Sequence, residues 1–153
     1  MPFRRHAPVA LCCVLLTISS NLLAGTLTWN NTTGPWSVGA NWGGAGPTGN
    51  DASDILNFGG SDPLAYTSTN DVLAVPFLLN QFVFGSTAPV AEIIAGNPIR
   101  FAGSGAQILQ NGSGAIDLNM NIDVSSLLTA TGGGAGNVTL NGALTGNAGI
   151  TKT

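Results

Sequence analysis

AIDLNMNIDV, Ala115 to Val124, alternates without a break. Ile116, Leu118, Met120, Ile122 and Val124 fall on one side, and Asp117, Asn119, Asn121 and Asp123 on the other. An extended backbone sends successive side chains to opposite faces, so this period of two predicts β-structure with one face buried and one wet. VTLNGAL repeats it with Val138, Leu140 and Leu144. Shorter pieces read the same way: AEIIA around Ile93 and Ile94, PIRF with Ile99 and Phe101, and QILQ with Ile108 and Leu109. Between them lie AGNP, GSG, NGSG, TGGGAGN and TGNAG, clusters of Gly and Asn that accept the positive φ of tight turns.

Helical spacing is weak, because Gly or Pro interrupts it throughout the chain beyond the first two dozen residues. Val72 to Phe84, VLAVPFLLNQFVF, is the only run that competes. Pro76 in its middle, and its Val and Phe content, favour two strands broken at Pro76. The units also recur. GSGAQILQN at Gly103 is followed nine residues later by GSGAIDLNM at Gly112, and NVTLNGALTGNAGITKT keeps the rhythm. Short strands turning repeatedly on Gly or Asn suit a β-solenoid, in which each coil buries its apolar face on the next. An antiparallel β-sandwich is the alternative, since it carries turns at similar intervals.

The 153 residues suffice for one domain, but the first two dozen read as a leader. MPFRRHAP supplies a basic start with Arg4 and Arg5, and VALCCVLLTISSNLLA follows as an apolar stretch ending in small residues, the layout of a secretory signal peptide cut near Ala24 or Gly25. Val9 to Ala24 is shorter than the ~20 residues of a membrane span. A lipoprotein reading at Cys12 meets Leu11 where a small residue belongs. No stable membrane span is expected once the leader is removed.

Leader removal also takes Cys12, Cys13 and His6. Asp51, Asp54, Asp62, Asp71, Glu92, Asp117 and Asp123 then face only Arg100 and Lys152, five negative charges in excess. Disulfides and Cys or His metal sites are excluded, and nucleic acid or an anionic membrane is a poor partner without clustered bases. Charged residues make up only 7% of the whole chain, so solubility rests on amides and hydroxyls.

Candidate chemistry is sparse. Asp51 and Asp54 in NDASD lie close, but calcium wants six or more oxygens, and a solvated loop entering a strand at Ile55 accounts for them. Asp62 in GGSDP reads as a turn residue before Pro63. Asp117 and Asp123, on one continuous strand, would stand roughly 20 Å apart at ~3.3 Å per residue, too far for the ~5–10 Å of paired glycosidase carboxylates. GGGAGNVTL lacks the Asp of a calcium-binding nonapeptide, GSGAQILQNG lacks the Lys of a phosphate loop, and no Ser has a His or positioned Lys as base. The expectation is no enzyme, no metal and no small-molecule cofactor.

WNNTTGPWSVGANW holds every tryptophan: Trp29, Trp36 and Trp42. Indoles stack on sugar faces, so these three are candidate glycan contacts. A solenoid end also needs an atypical covering segment. Spacings of seven and six place the indoles on turns of a folded loop and not along one strand face, which favours a cap.

Two stretches carry a resemblance. NVTLNGALTGNAGITKT, Asn137 to Thr153, resembles the autotransporter-associated β-strand repeat of secreted bacterial proteins: Gly142, Leu144, Thr145, Gly146, Gly149 and Lys152 fall on its G-x-L-T-G-x-G-G-L-x-K pattern, with Ala148 and Ile150 as departures. The opening is similar to the N-terminal region of such proteins, with Trp29, Trp36, Ser37, Asn41, Trp42 and Pro47 in place before a strand of Ile55, Leu56 and Phe58. The match covers the final seventeen residues well, some thirty at the start by spacing, and the middle in texture only. The resemblance implies a right-handed parallel β-helix exported to the cell surface or medium.

The resulting expectation is a signal peptide at 1–25, a Trp-rich cap region at 26–60, and solenoid coils at 61–153 leading into a repeat array that is cut off, as in a fragment or truncated product. Its role would be structural and adhesive, its partners a surface glycan or neighbouring β-helix coils of a longer chain. A carbohydrate-binding module using the tryptophans is the alternative, and a polysaccharide-degrading enzyme a distant third.

Overall fold

In a computed structural model that describes residues 25–59 and 64–153, the chain is an all-β parallel solenoid of about four turns. The leader falls outside the described residues but for Gly25, and Asp62 lies outside them too. An entry turn comprises β1 (Thr26–Thr28), β2 (Gly34–Pro35) and a 3-10 turn, Gly39–Trp42. The first full turn holds β3 (Ile55–Phe58), β4 (Thr67–Asn70) and β5 (Phe77–Leu79); the second β6 (Gln81–Phe84), β7 (Glu92–Gly96) and β8 (Ile99–Phe101). The third holds β9 (Gln107–Gln110), β10 (Ile116–Asn119) and β11 (Ile122–Val124), the fourth β12 (Leu128–Thr131), β13 (Val138–Leu140) and β14 (Leu144–Gly146), and β15 (Ile150–Lys152) begins another.

Three sheets run the length of the stack. Sheet 1 orders β1-β3-β6-β9-β12-β15, sheet 2 β2-β4-β7-β10-β13, and sheet 3 β5-β8-β11-β14. Every strand pair among the described residues is parallel, so the antiparallel sandwich is set aside. Alternation explains each rung: Leu56, Phe58, Phe82, Phe84, Ile108, Ile116, Leu118, Ile122 and Val124 point inward and are buried, while their neighbours along the strand face out.

The stretch Ala115–Val124 turns out to span a corner. Ile116–Asn119 belongs to sheet 2 and Ile122–Val124 to sheet 3, and buried Met120 carries the inward alternation round the bend. The nine-residue echo between Gly103 and Gly112 likewise marks successive faces of one turn, leading into β9 and β10. The true coil repeat is longer. Ile116 pairs with Val138, Ile122 with Leu144 and Leu128 with Ile150, each partner 22 residues on.

Earlier turns are wider. In sheet 1, Ile55 pairs with Gln81 and Gln81 with Gln107, steps of 26 residues. The interior changes with the perimeter: Trp29, Trp36, Phe58, Phe77, Phe82, Phe84 and Phe101 fill the wide end, whereas Ala106, Ile108, Ile116, Leu118, Ile122 and Val124 fill the narrow one. A shorter coil encloses less volume, and close packing then demands smaller side chains.

One strand boundary differs from expectation. The break between the two strands of Val72–Phe84 is at Asn80 and not at Pro76, with β5 starting at Phe77 and Val72–Val75 outside any strand. Proline has no N–H to give a ladder, so pairing starts after it, with Phe77 N donating to Pro98 O. At the real break the Asn80 side-chain amide donates to the carbonyls of Ala102 and Ser104, filling a corner where the backbone turns.

Candidate functional site

Trp29 follows β1, and its backbone N–H donates to Asn57 O while its indole N–H donates to Thr32 O at 3.0 Å. Trp36 follows β2, tied by its backbone N–H to Thr69 O and by its indole to the Ser68 hydroxyl at 2.6 Å. Trp42 closes the 3-10 turn and gives its indole N–H to Trp36 O at 3.0 Å. It meets both other indoles edge-on, with ring centroids 4.9 Å from Trp29 and 5.8 Å from Trp36. Trp36 continues the contact inward to Phe58, Phe77 and Phe82 at 6.0, 5.2 and 6.3 Å.

Their exposures are 1% for Trp29, 0% for Trp36 and 6% for Trp42. Sugar stacking needs an open indole face, and here each face is spent on other rings. The glycan-contact assignment of Trp29, Trp36 and Trp42 therefore has no surface to act through. The reason lies in the backbone: β1 and β2 aim the indoles into the solenoid, and the 3-10 turn lays Trp42 across them. The first full rung already begins at Ile55, inside the stretch assigned to the cap.

The carboxylates do not converge. Asp51 Oδ1 accepts from both Ser53 N–H and the Ser53 hydroxyl, which hold its pKa below the ordinary carboxylate value. Asp54 is buried, not solvated; burial first, and the Asp51 charge second, push its pKa up against the opposing Gly25 N–H. Asp117 and Asp123 sit in different sheets. Among the described residues, no group of three or more His, Cys, Asp or Glu could hold a metal ion.

Two polar contacts escaped sequence reasoning. Arg100 Nη2 and Nε both reach Asp123 Oδ2 at 2.6 Å, across neighbouring strands of sheet 3. Their separation in sequence is one coil, so knowledge of the repeat length would have paired them. Glu92 occupies an interior position beside Ile116 and accepts from the Ser86 hydroxyl, which in turn accepts from Ala88 N–H. No motif marks it. It falls on the inward side of its strand by alternation alone.

Two hollows remain. A trough of about 280 Å³ runs outside sheet 3 beside Val75, Pro76, Pro98, Arg100, Asn121 and Asp123. A larger hollow of about 340 Å³ opens at the C-terminal end of the stack, among Ile108, Ala130, Val138, Leu140 and Lys152. No helix among the described residues is long and apolar enough to cross a membrane.

Compared with protein-family models, curated proteins and solved structures, the chain matches none of them.

Proposed function

We propose that this chain is a non-enzymatic, structural β-solenoid segment of a secreted or cell-surface protein, a spacer that displays other material and contributes to adhesion. The observation that carries the reading is the commitment of all three indoles to the interior, each with its N–H bonded inside the fold. The side chains best suited to grip a ligand serve instead to fill and close the wide end of a stack.

The resemblance to the autotransporter-associated repeat supports export. Its Leu144, Thr145 and Gly146 form β14, and Ile150 to Lys152 form β15, so the matched motif lies on consecutive faces of a parallel coil. The physical sense of its glycine is visible too. Gly146 has a φ of +118°, and a Cβ there would lie 2.2 Å from Val124 O.

Fractionation of a Gram-negative host expressing the tagged chain tests this reading. The expected product is trimmed near Ala24 or Gly25 and found outside the cytoplasm, and the purified protein releases no reducing ends from a polysaccharide panel. Untrimmed protein held in the cytoplasm, or release of sugars, would contradict it.

A further inference from the structure

We propose that the C-terminal face of the stack is a coil-accepting surface, whose occupant is a parallel β-coil of 22-residue period. The inference extends the structural reading above but rests on this face alone. The strands β15, β13 and β14 are the last members of sheets 1, 2 and 3, so each is paired on one side only among the described residues. All three edges lie at the same end.

The interior columns continue onto this face. Ile116, Leu118, Ile122 and Leu128 are buried, and their partners one coil on are Val138, Leu140, Leu144 and Ile150. Of these, Leu140 is 38% exposed, Leu144 49% and Ile150 42%. They border the hollow of about 340 Å³, in which Val138 and Leu140 take part. Each earlier coil meets the same kind of face with a row of apolar side chains and a set of parallel strands.

Natural sheet edges are blunted by charge, proline or bulges. Here β13 and β14 read VTL and LTG, with neither charge nor proline, and only Lys152 in β15 departs from that. The opposite end differs, because Trp42 and its 3-10 turn lie against Trp29 and Trp36. Register specifies the occupant. It must run parallel and present apolar residues opposite Val138, Leu140, Leu144 and Ile150, the first, third, seventh and thirteenth positions of a segment aligned with β13.

The test appends a second copy of residues 132–153 directly after Thr153, which continues the 22-residue register. A control extension carries the same composition with its four apolar residues moved by one position, which turns them outward. The proposal expects the in-register extension alone to raise amide protection in β13, β14 and β15 by about tenfold or more and to raise Tm in one cooperative transition. Equal behaviour of the two extensions, or no gain from either, would overturn it. So would a stable dimer of the parent chain that already protects these amides, because the occupant would then be a second copy. Cytoplasmic retention of the chain would sink the functional reading and leave this result standing.

Discussion

The indole N–H of Trp36 donates to the Ser68 hydroxyl at 2.6 Å in the interior of the solenoid, joining the entry turn to the first full turn. The room for that indole comes from small residues: Gly34 pairs with Ser68 in sheet 2, where the next coil carries Ile94. Serine is thus both spacer and acceptor. Trp36→Ala should lower stability by roughly 3 to 5 kcal/mol, the range for a deleted buried aromatic. Ser68→Ala keeps the space and leaves a buried donor unpaired, a loss of about 1 to 3 kcal/mol. Denaturant unfolding of both variants checks the order.

Acid sensitivity should be traceable to the contact between Ser37 and Asp71. The Ser37 N–H and hydroxyl reach the Asp71 carboxylate at 2.8 and 2.5 Å. Burial opposes the charged form, but these donors and the Trp36 N–H outweigh it, and the pKa falls below the ordinary value. A depressed folded pKa contributes stability above the unfolded value that is lost as pH falls through the folded one. Asp71→Asn should therefore flatten the acid limb of a Tm-against-pH profile.

Asp54 should act with the opposite sign. Its raised pKa contributes stability below the unfolded carboxylate value, lost as pH rises through the folded one. Asp54→Asn removes the buried charge and should raise Tm at neutral pH while doing little in acid. A lower Tm at neutral pH would count against the assigned burial.

Glycines at turns should divide by geometry. Gly146→Ala puts a Cβ 2.2 Å from Val124 O at a positive φ, and should cost more than ~1 kcal/mol. At Gly133 no atom lies within 4 Å of an added Cβ, so Gly133→Ala should stay within about 0.5 kcal/mol of the parent. Thermal unfolding of the two variants separates them.

The Arg100–Asp123 bridge should matter little. Its side chains are 41% and 25% exposed, and exposed ion pairs contribute about 0 to 1 kcal/mol, less in salt. Asp123→Asn is expected to shift Tm slightly at low ionic strength and hardly at all at high.

Much of this architecture was legible in the chain. Alternation through Ile116–Val124 marks the buried columns, and the Gly and Asn clusters mark the corners. What alternation cannot show is where one sheet gives way to the next, since Met120 keeps the period intact through the bend. The coil length was hidden for another reason. Turns of 26 residues give way to turns of 22, so no single period aligns Phe82, Ile108 and Ala130, which share one column. The tryptophans were ambiguous because polar neighbours such as Asn30, Asn41 and Ser37 suit a binding loop equally well. Those polar groups are spent on the fold, with Asn30 and Asn41 donating to Ala40 O and Pro35 O and Ser37 held by Asp71.

Tryptophan fluorescence tests the central claim, that all three indoles belong to the interior, most directly. Blue-shifted emission, protected from acrylamide and unchanged by added oligosaccharides, is the predicted result. Red-shifted emission that acrylamide quenches and an oligosaccharide perturbs would contradict it.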